Sequence, residues 1–279
     1  MKNSIDAISS GLHCYKAICP SWHIINDVLG VQTFAKPDHV AWRTFRGAGG
    51  IKAAASVLEE QGYQPIKNYE FPSMNVNACH FEHPDDRPLV FVGELDETKL
   101  PEESQRIITE RIKLIGSCVW DGVSTGSQLW GTPDYHDYKV LEKQSSYAAW
   151  VYVFGNQLNH STVDVKNTIA WDYDADKSFG EALDICIDLL KTDGRVKFNT
   201  SNTSDTCNSD IIHISNDGLL HQASNKADLV NIMWNDKIER KIPGIFVELV
   251  QRLDDPITGL PKEGFEAENA ILIFPSTDR

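Results

Sequence analysis

Basic residues are scarce in this chain. Lys and Arg number 26 against 40 Asp and Glu, so its 279 residues carry a formal charge of −14 at pH 7. No cluster of Lys or Arg interrupts that acidity, which argues against nucleic acid or an anionic membrane as a partner. No apolar run approaches the roughly 18 residues that a transmembrane helix needs. The opening Met1-Lys-Asn-Ser-Ile-Asp6 lacks the apolar centre of a signal peptide. The six cysteines at 14, 19, 79, 118, 186 and 207 are scattered, with no C-x-x-C pair. That pattern excludes a dense disulfide framework and points to reduced thiols in the cytoplasm. What is present is ordinary: 41% apolar and 24% charged residues, as in a soluble globular protein of one large or two small domains. Nothing in the sequence fixes an oligomeric state.

Residues 1–30 mix apolar and polar positions in a helical way. The first clear strand is Asp38–Phe45, DHVAWRTF. After a Gly47–Gly50 loop, Ile51–Gln61 reads as a helix with Ile51, Ala54, Ala55 and Leu58 on one face and Gly62 as its C-terminal cap. Strand-like runs follow near Gln64–Phe71, Val76–His83 and Pro88–Gly93, separated by Pro72-Ser73 and Pro84-Asp85-Asp86. Residues 96–148 form a polar, partly helical connector, and Ala148–Phe154 fits either a helix or a buried strand. The same order then recurs. A strand near Asn156–Val163 precedes a helix around Lys177–Thr192, where Phe179, Leu183, Cys186, Ile187 and Leu190 keep the period and Gly194 caps. Strand candidates follow at Arg195–Asn199, at Ile211–Gln222 with a break at Asn216-Asp217-Gly218, and at Gly244–Arg252. Neither half closes a sheet around a core alone. The expectation is therefore one α+β domain over 1–279, built of two βαβββ modules at 33–95 and 149–255, with added helices and a C-terminal extension over 256–279.

Three signals tempt and are set aside. Gly122-Val-Ser124-Thr-Gly126 matches a nucleophile elbow but lacks the buried strand before it and the helix after it. Arg46-Gly-Ala-Gly-Gly50, with Glu70 about 20 residues on, resembles a phosphate-binding turn. It lacks the third glycine, and hairpin strands follow instead of a crossover. His80-Phe-Glu-His83 puts its two histidines on opposite faces of a strand, which leaves only His80 with Glu82 as a metal pair. His13, His23, His136 and His213 have no partner pattern.

A more coherent set lies on the strands. His39, Ala41, Arg43 and Phe45 share one strand face, and a buried Arg needs an anion. Asn159-His160-Ser161 supplies a second His at the matching place in the second module. Pro243-Gly-Ile-Phe-Val-Glu248-Leu-Val-Gln-Arg252 carries a carboxylate within an apolar strand, costly to bury unless paired, exposed or metal-bound. Two imidazoles and one carboxylate on three strands make the facial triad of non-heme Fe(II) oxygenases; ordinary half-exposed strand residues are the competing reading.

DHVAWRTF, the Asn-His of GNQLNHSTV, LLHQASNKADLV and IPGIFVELVQR occur in that order across about residues 36–255. Together they resemble the 2-oxoadipate dioxygenase/decarboxylase family, also called hydroxyglutarate synthases. The chain reads Asn-His-Ser where many relatives have Thr or Val after the His. The resemblance implies a partly closed barrel of the vicinal-oxygen-chelate type. It implies Fe(II), written Fe(2+), held by His39, His160 and Glu248, with Arg43 on a substrate carboxylate and Gln222 and Ser224 on a strand facing the site. The implied reaction converts a small 2-oxo acid, 2-oxoadipate, with O2 to 2-hydroxyglutarate and CO2, a step in lysine breakdown. Two other readings stay open on the residues: another metal-dependent lyase or isomerase on the same scaffold, and a non-catalytic small-acid-binding protein.

Overall fold

A computed structural model describes residues 6–30, 37–114, 131–168, 182–200 and 208–277. Its centre is a curled sheet of eight strands. The first half of the chain gives β1 (His39–Phe45), α3 (Gly50–Glu59), β2 (Gln64–Phe71), β3 (Val76–Glu82) and β4 (Leu89–Leu95), after two N-terminal helices, α1 (Ala7–Ile18) and α2 (Pro20–Val28). Connecting helices α4 (Glu102–Lys113), α5 (Tyr135–Gln144) and α6 (Ser146–Phe154) lead to the second half. That half holds β5 (Leu158–Asp164), a short α7 (Val165–Thr168), α8 (Ala182–Asp193), β6 (His213–Ile214), β7 (Leu220–Ser224), β8 (Leu229–Met233), β9 (Glu239–Pro243) and β10 (Phe246–Arg252). Helix α9 (Ala267–Ile273) and a short turn over Phe274–Thr277 follow.

The strand order is β2-β3-β4-β1-β5-β10-β7-β6, with β8-β9 a separate hairpin. Strands β1 and β5 meet antiparallel at the centre, and each is flanked by the last strand of its own half, β4 or β10, in parallel. The two halves thus repeat each other about the β1/β5 seam. All seven residues of β1 are buried, because His39, Ala41 and Arg43 face the concave side while Trp42 packs beneath α1. There a Cβ on Gly11 would lie 3.3 Å from the Trp42 ring and 3.2 Å from Leu158. Ala148–Phe154 is helical: Ser145 caps α6 by accepting from the Ala148 amide, and every residue from Tyr147 to Phe154 is buried. A helix apolar on all sides is a core helix.

Gly62 and Gly194 do end α3 and α8, at φ of +91° and +76°, a region that other residues adopt only at a cost. Some element expectations differ from the structure. Arg195–Asn199 is not a strand; Phe198 makes only an isolated bridge to Asn225. The β8-β9 hairpin was not expected, and it inserts between β7 and β10. The break at Asn216-Asp217-Gly218 is real and separates β6 from β7. Gly122–Gly126 and residues 177–181 of the expected second-half helix lie outside the described residues.

Candidate metal centre

The concave face at the β1/β5 seam gathers His39, His160 and Glu248, whose donor atoms all lie within 4.8 Å of one another. It is the only such group of three among the described residues. The Nε2 atoms of His39 and His160 face the same carboxylate oxygen, Glu248 Oε2, at 3.6 and 3.5 Å. Two donors on one ion, each about 2.1 Å from it, sit about 3 to 3.5 Å apart. The spacing therefore fits a single divalent cation.

Each ring is oriented from behind by the residue just before it. His39 Nδ1 bonds Asp38 Oδ2 at 2.8 Å, and His160 Nδ1 bonds Asn159 Oδ1 at 3.1 Å. With Nδ1–H donated backward, Nε2 carries the free lone pair, as a metal ligand requires. Neighbours on a regular strand point to opposite faces, so both arrangements need a local departure. Asp38 sits just ahead of β1. Asn159 is the extra residue of a β-bulge, since Ala41 pairs with His160 while Trp42 pairs with Leu158. Behind Asp38, Arg252 donates to both carboxylate oxygens at 2.6 and 2.9 Å and reaches the carbonyls of Lys262 and Gly264 at 2.9 and 2.8 Å.

The electrostatics separate the two imidazoles. Burial pushes His39 down, but the Glu248 carboxylate and then the Asp38 bond more than reverse this, to about 9. His160 lies well below its ordinary value, chiefly through burial and then through the charges of His39 and Arg43. Asp38 is also drawn well below the usual carboxylate range: burial opposes this, and Arg252 and His39 outweigh it. Without metal, His39 is thus the protonated partner of Glu248.

Arg43 opens onto the same cavity as the triad, with Gln222, Asn159 and the rings of Phe91, Phe246, Phe265 and Phe274 in its wall. Its guanidinium lies 4.9 Å from the Tyr147 ring centre and 5.5 Å from that of Trp150, both delivered by α6. It donates to the Thr277 hydroxyl at 2.9 Å and to the Phe274 carbonyl at 3.4 Å. Gln222 lines the cavity and donates to Glu248 Oε1 at 2.5 Å. Ser224 is buried opposite Glu248 in the β7/β10 ladder and is not among the lining residues.

A family model described as 2-oxoadipate dioxygenase/decarboxylase matches residues 124–254. A curated protein of that name from Oryza sativa subsp. japonica, designated chloroplastic/amyloplastic, is 31% identical over 265 residues, 86% of this chain and 68% of that protein. The chain belongs to the 2-oxoadipate dioxygenase/decarboxylase family. A curated 2-oxoadipate dioxygenase/decarboxylase from Arabidopsis thaliana, designated chloroplastic, is 28% identical, over 86% of this chain and 67% of that protein. In three dimensions the chain is similar to the crystal structure of a hydroxyglutarate synthase from Oryza sativa in complex with 2-oxoadipate. That match has a TM-score of 0.85 at 29% identity and covers 98% of this chain and 91% of the other. A protein assigned to the glyoxalase superfamily, from Ralstonia eutropha JMP134, shares the fold alone, with a TM-score of 0.69 at 20% identity over 95% of this chain and 86% of the other.

In this member of the dioxygenase/decarboxylase family, the site also includes residues that belong to no motif of their own. Asp38 and Asn159 stand directly before the two histidines in the chain. A polar residue directly before a strand histidine was the available signal. Arg252, Phe265, Asn269 and Thr277 left no periodic trace. His80 bonds the Tyr69 hydroxyl at 2.9 Å and Glu82 at 3.2 Å, and among the described residues it joins no group of three. At the start of α3, Glu94 already accepts from the Ile51 amide at 2.8 Å, so an acid occupies the place a phosphate would take. No described helix is long and apolar enough to cross a membrane.

Proposed function

We propose that this chain converts 2-oxoadipate and O2 to 2-hydroxyglutarate and CO2, with Fe(II) held by His39, His160 and Glu248. The observation that carries this reading is the convergence of two backward-anchored imidazoles and one buried carboxylate on a cavity that also contains Arg43. The reaction balances: C1 leaves as CO2 with its own two oxygens, and both atoms of O2 enter the shortened acid, one in the carboxylate formed at the former keto carbon and the other in the new hydroxyl. Iron(II), when bound, supplies the electrons and the adjacent coordination positions that bring an oxo acid and O2 together.

The protein's part is binding, orientation and shielding. Asp38 and Arg252 carry opposite charges behind the site, as do Glu248 and Arg43 at its wall, so a divalent cation leaves a net charge near +2. That complements a dianionic oxo acid with a carboxylate at each end. Arg43 holds the carboxylate remote from the metal through its planar pair of N–H donors, fixing which carbon reaches the reacting end. The aromatic wall excludes water and strengthens both charged contacts.

Among the described residues, Cys14, Cys19, Cys79 and Cys186 form no disulfide. They support a reducing compartment, and we place the reaction in the cytoplasm, within lysine breakdown. Anaerobic loading with Fe(II), followed by O2 uptake and CO2 release across C5–C7 2-oxo diacids, tests the proposal. Stoichiometric O2 and CO2 with 2-oxoadipate is the expected result. Turnover without O2 would instead indicate a lyase or isomerase, and tight binding without turnover an acid-binding protein.

A further inference from the structure

We infer that Asn269, on the C-terminal helix α9, is a positioning residue for the metal centre: through Gln222 it restricts Glu248 to a single metal-facing oxygen. The inference rests on the metal-site reading above and adds what sets the geometry of its carboxylate.

Three buried side chains from three elements form one hydrogen-bonded chain. Asn269 Nδ2 donates to Gln222 Oε1 at 2.8 Å, and Gln222 Nε2 donates to Glu248 Oε1 at 2.5 Å. Glu248, Gln222 and Asn269 are 1%, 4% and 2% exposed, so bulk water offers no alternative partner. The direction of the chain is fixed chemically. A carboxylate only accepts, so Gln222 must present its NH2 to Glu248 and its carbonyl to Asn269, which must then donate. An amide fits at position 269, and a carboxylate does not.

The consequence falls on Glu248. Its Oε1 is engaged by Gln222, while Oε2 alone faces the two imidazoles. Two imidazoles and one carboxylate oxygen would hold the ion through three donors and would leave its other positions open. The remaining positions would be open to the oxo acid and O2. A carboxylate bound through both oxygens would remove one. Asn269 also lies on the helix whose Ala270 and Ile273 line the cavity. The element that covers the substrate space therefore also braces the ligand. A buried amide on that helix would be costly without such a use.

The test compares the wild-type chain with Asn269→Asp, Asn269→Leu, Gln222→Leu and the Gln222→Leu/Asn269→Leu double variant. Cobalt(II) alone is the probe, and its affinity and visible absorption are measured alongside the melting of each metal-free protein. Each single variant is expected to bind cobalt about tenfold more weakly, the lower range for residues behind a ligand, with altered band intensity. The double variant is expected to be no weaker than the worse single one, because both break the same chain. The nearly isosteric Asn269→Asp should be at least as damaging as Asn269→Leu. Affinities within twofold of wild type, additive losses, or losses matched by equal destabilisation of the metal-free protein would overturn the inference. A wild-type chain that fails to bind cobalt would instead defeat the metal-centre reading itself.

Discussion

The two halves of the sheet share a plan and differ at one register position. In the first half, Ala41, two residues beyond His39, lies opposite Phe91 on β4. In the second, Thr162, two residues beyond His160, lies opposite Glu248 on β10. Phe91 therefore stands where a fourth ligand would complete a symmetric site, and it lines the same cavity. The neighbouring strands differ likewise: His80 pairs with Phe91, and Ser224 with Glu248. One half thus gives one donor and a hydrophobic wall; the other gives two donors and their bracing. A repeated scaffold that keeps only three of four donors is one that leaves room for reactants.

Removing donors gives the largest effect. His39→Ala, His160→Ala and Glu248→Ala are each expected to abolish iron binding, measured as metal content after anaerobic loading. Phe91→Ala should leave metal content intact. Full occupancy in any one of the three would remove that residue from the triad. The reverse experiment comes next. Phe91→Glu restores the missing donor, and it should keep the metal while lowering O2 uptake with 2-oxoadipate at least about a hundredfold, because a reactant position is filled. Phe91→Leu controls for lost contact with the Phe265 ring, 5.1 Å away. If Phe91→Glu turns over normally, the asymmetry between the halves has no bearing on catalysis.

Arg43 has no counterpart cation in the second half, where Asp164 takes the place four residues beyond His160. Arg43→Ala is expected to raise the KM for 2-oxoadipate by about ten- to a hundredfold, the scale of a charge-assisted hydrogen-bonded contact, with metal content unchanged. Loss of metal in this variant would make the guanidinium structural.

The repeat itself was legible because its strands combine β-branched and aromatic residues with turn residues at their ends, and because both crossover helices close on glycine. His39, Arg43, His160 and Glu248 stood out as polar residues on otherwise apolar strands. Other features had no such contrast. Strands β8 and β9 each bury one side chain, Ile232 and Ile242, so their alternation is lost among Glu239, Arg240 and Lys241. Arg195–Asn199 has strand-like residues but no neighbour to pair with beyond Phe198. Part of what the segment after Arg252 supplies is backbone, the carbonyls of Lys262, Gly264 and Phe274. Any sequence presents these groups equally, so periodicity could not show that this extension closes the site.

The finest contrast between the halves is the charge behind each histidine, carboxylate for His39 and amide for His160. Asp38 and Glu248 together hold the His39 proton to about 9 in the metal-free protein, whereas His160 is neutral far below that. A divalent ion must displace the His39 proton before it binds. Affinity for cobalt(II) should therefore rise about tenfold per pH unit through neutrality and level off near pH 9, with one proton released per ion. His160 adds nothing to that slope. In Asp38→Asn the imidazole loses one of its two anionic neighbours, so the levelling should move to lower pH, while affinity at the plateau falls about ten- to a hundredfold because the ring is less firmly oriented. In Asn159→Ala the plateau affinity should fall less and the pH at which it levels should stay where it is. Calorimetric titrations in buffers of different ionisation enthalpy read both quantities. Equal shifts in the two variants would mean that the charge on Asp38 is immaterial and that the two histidines are held in equivalent ways.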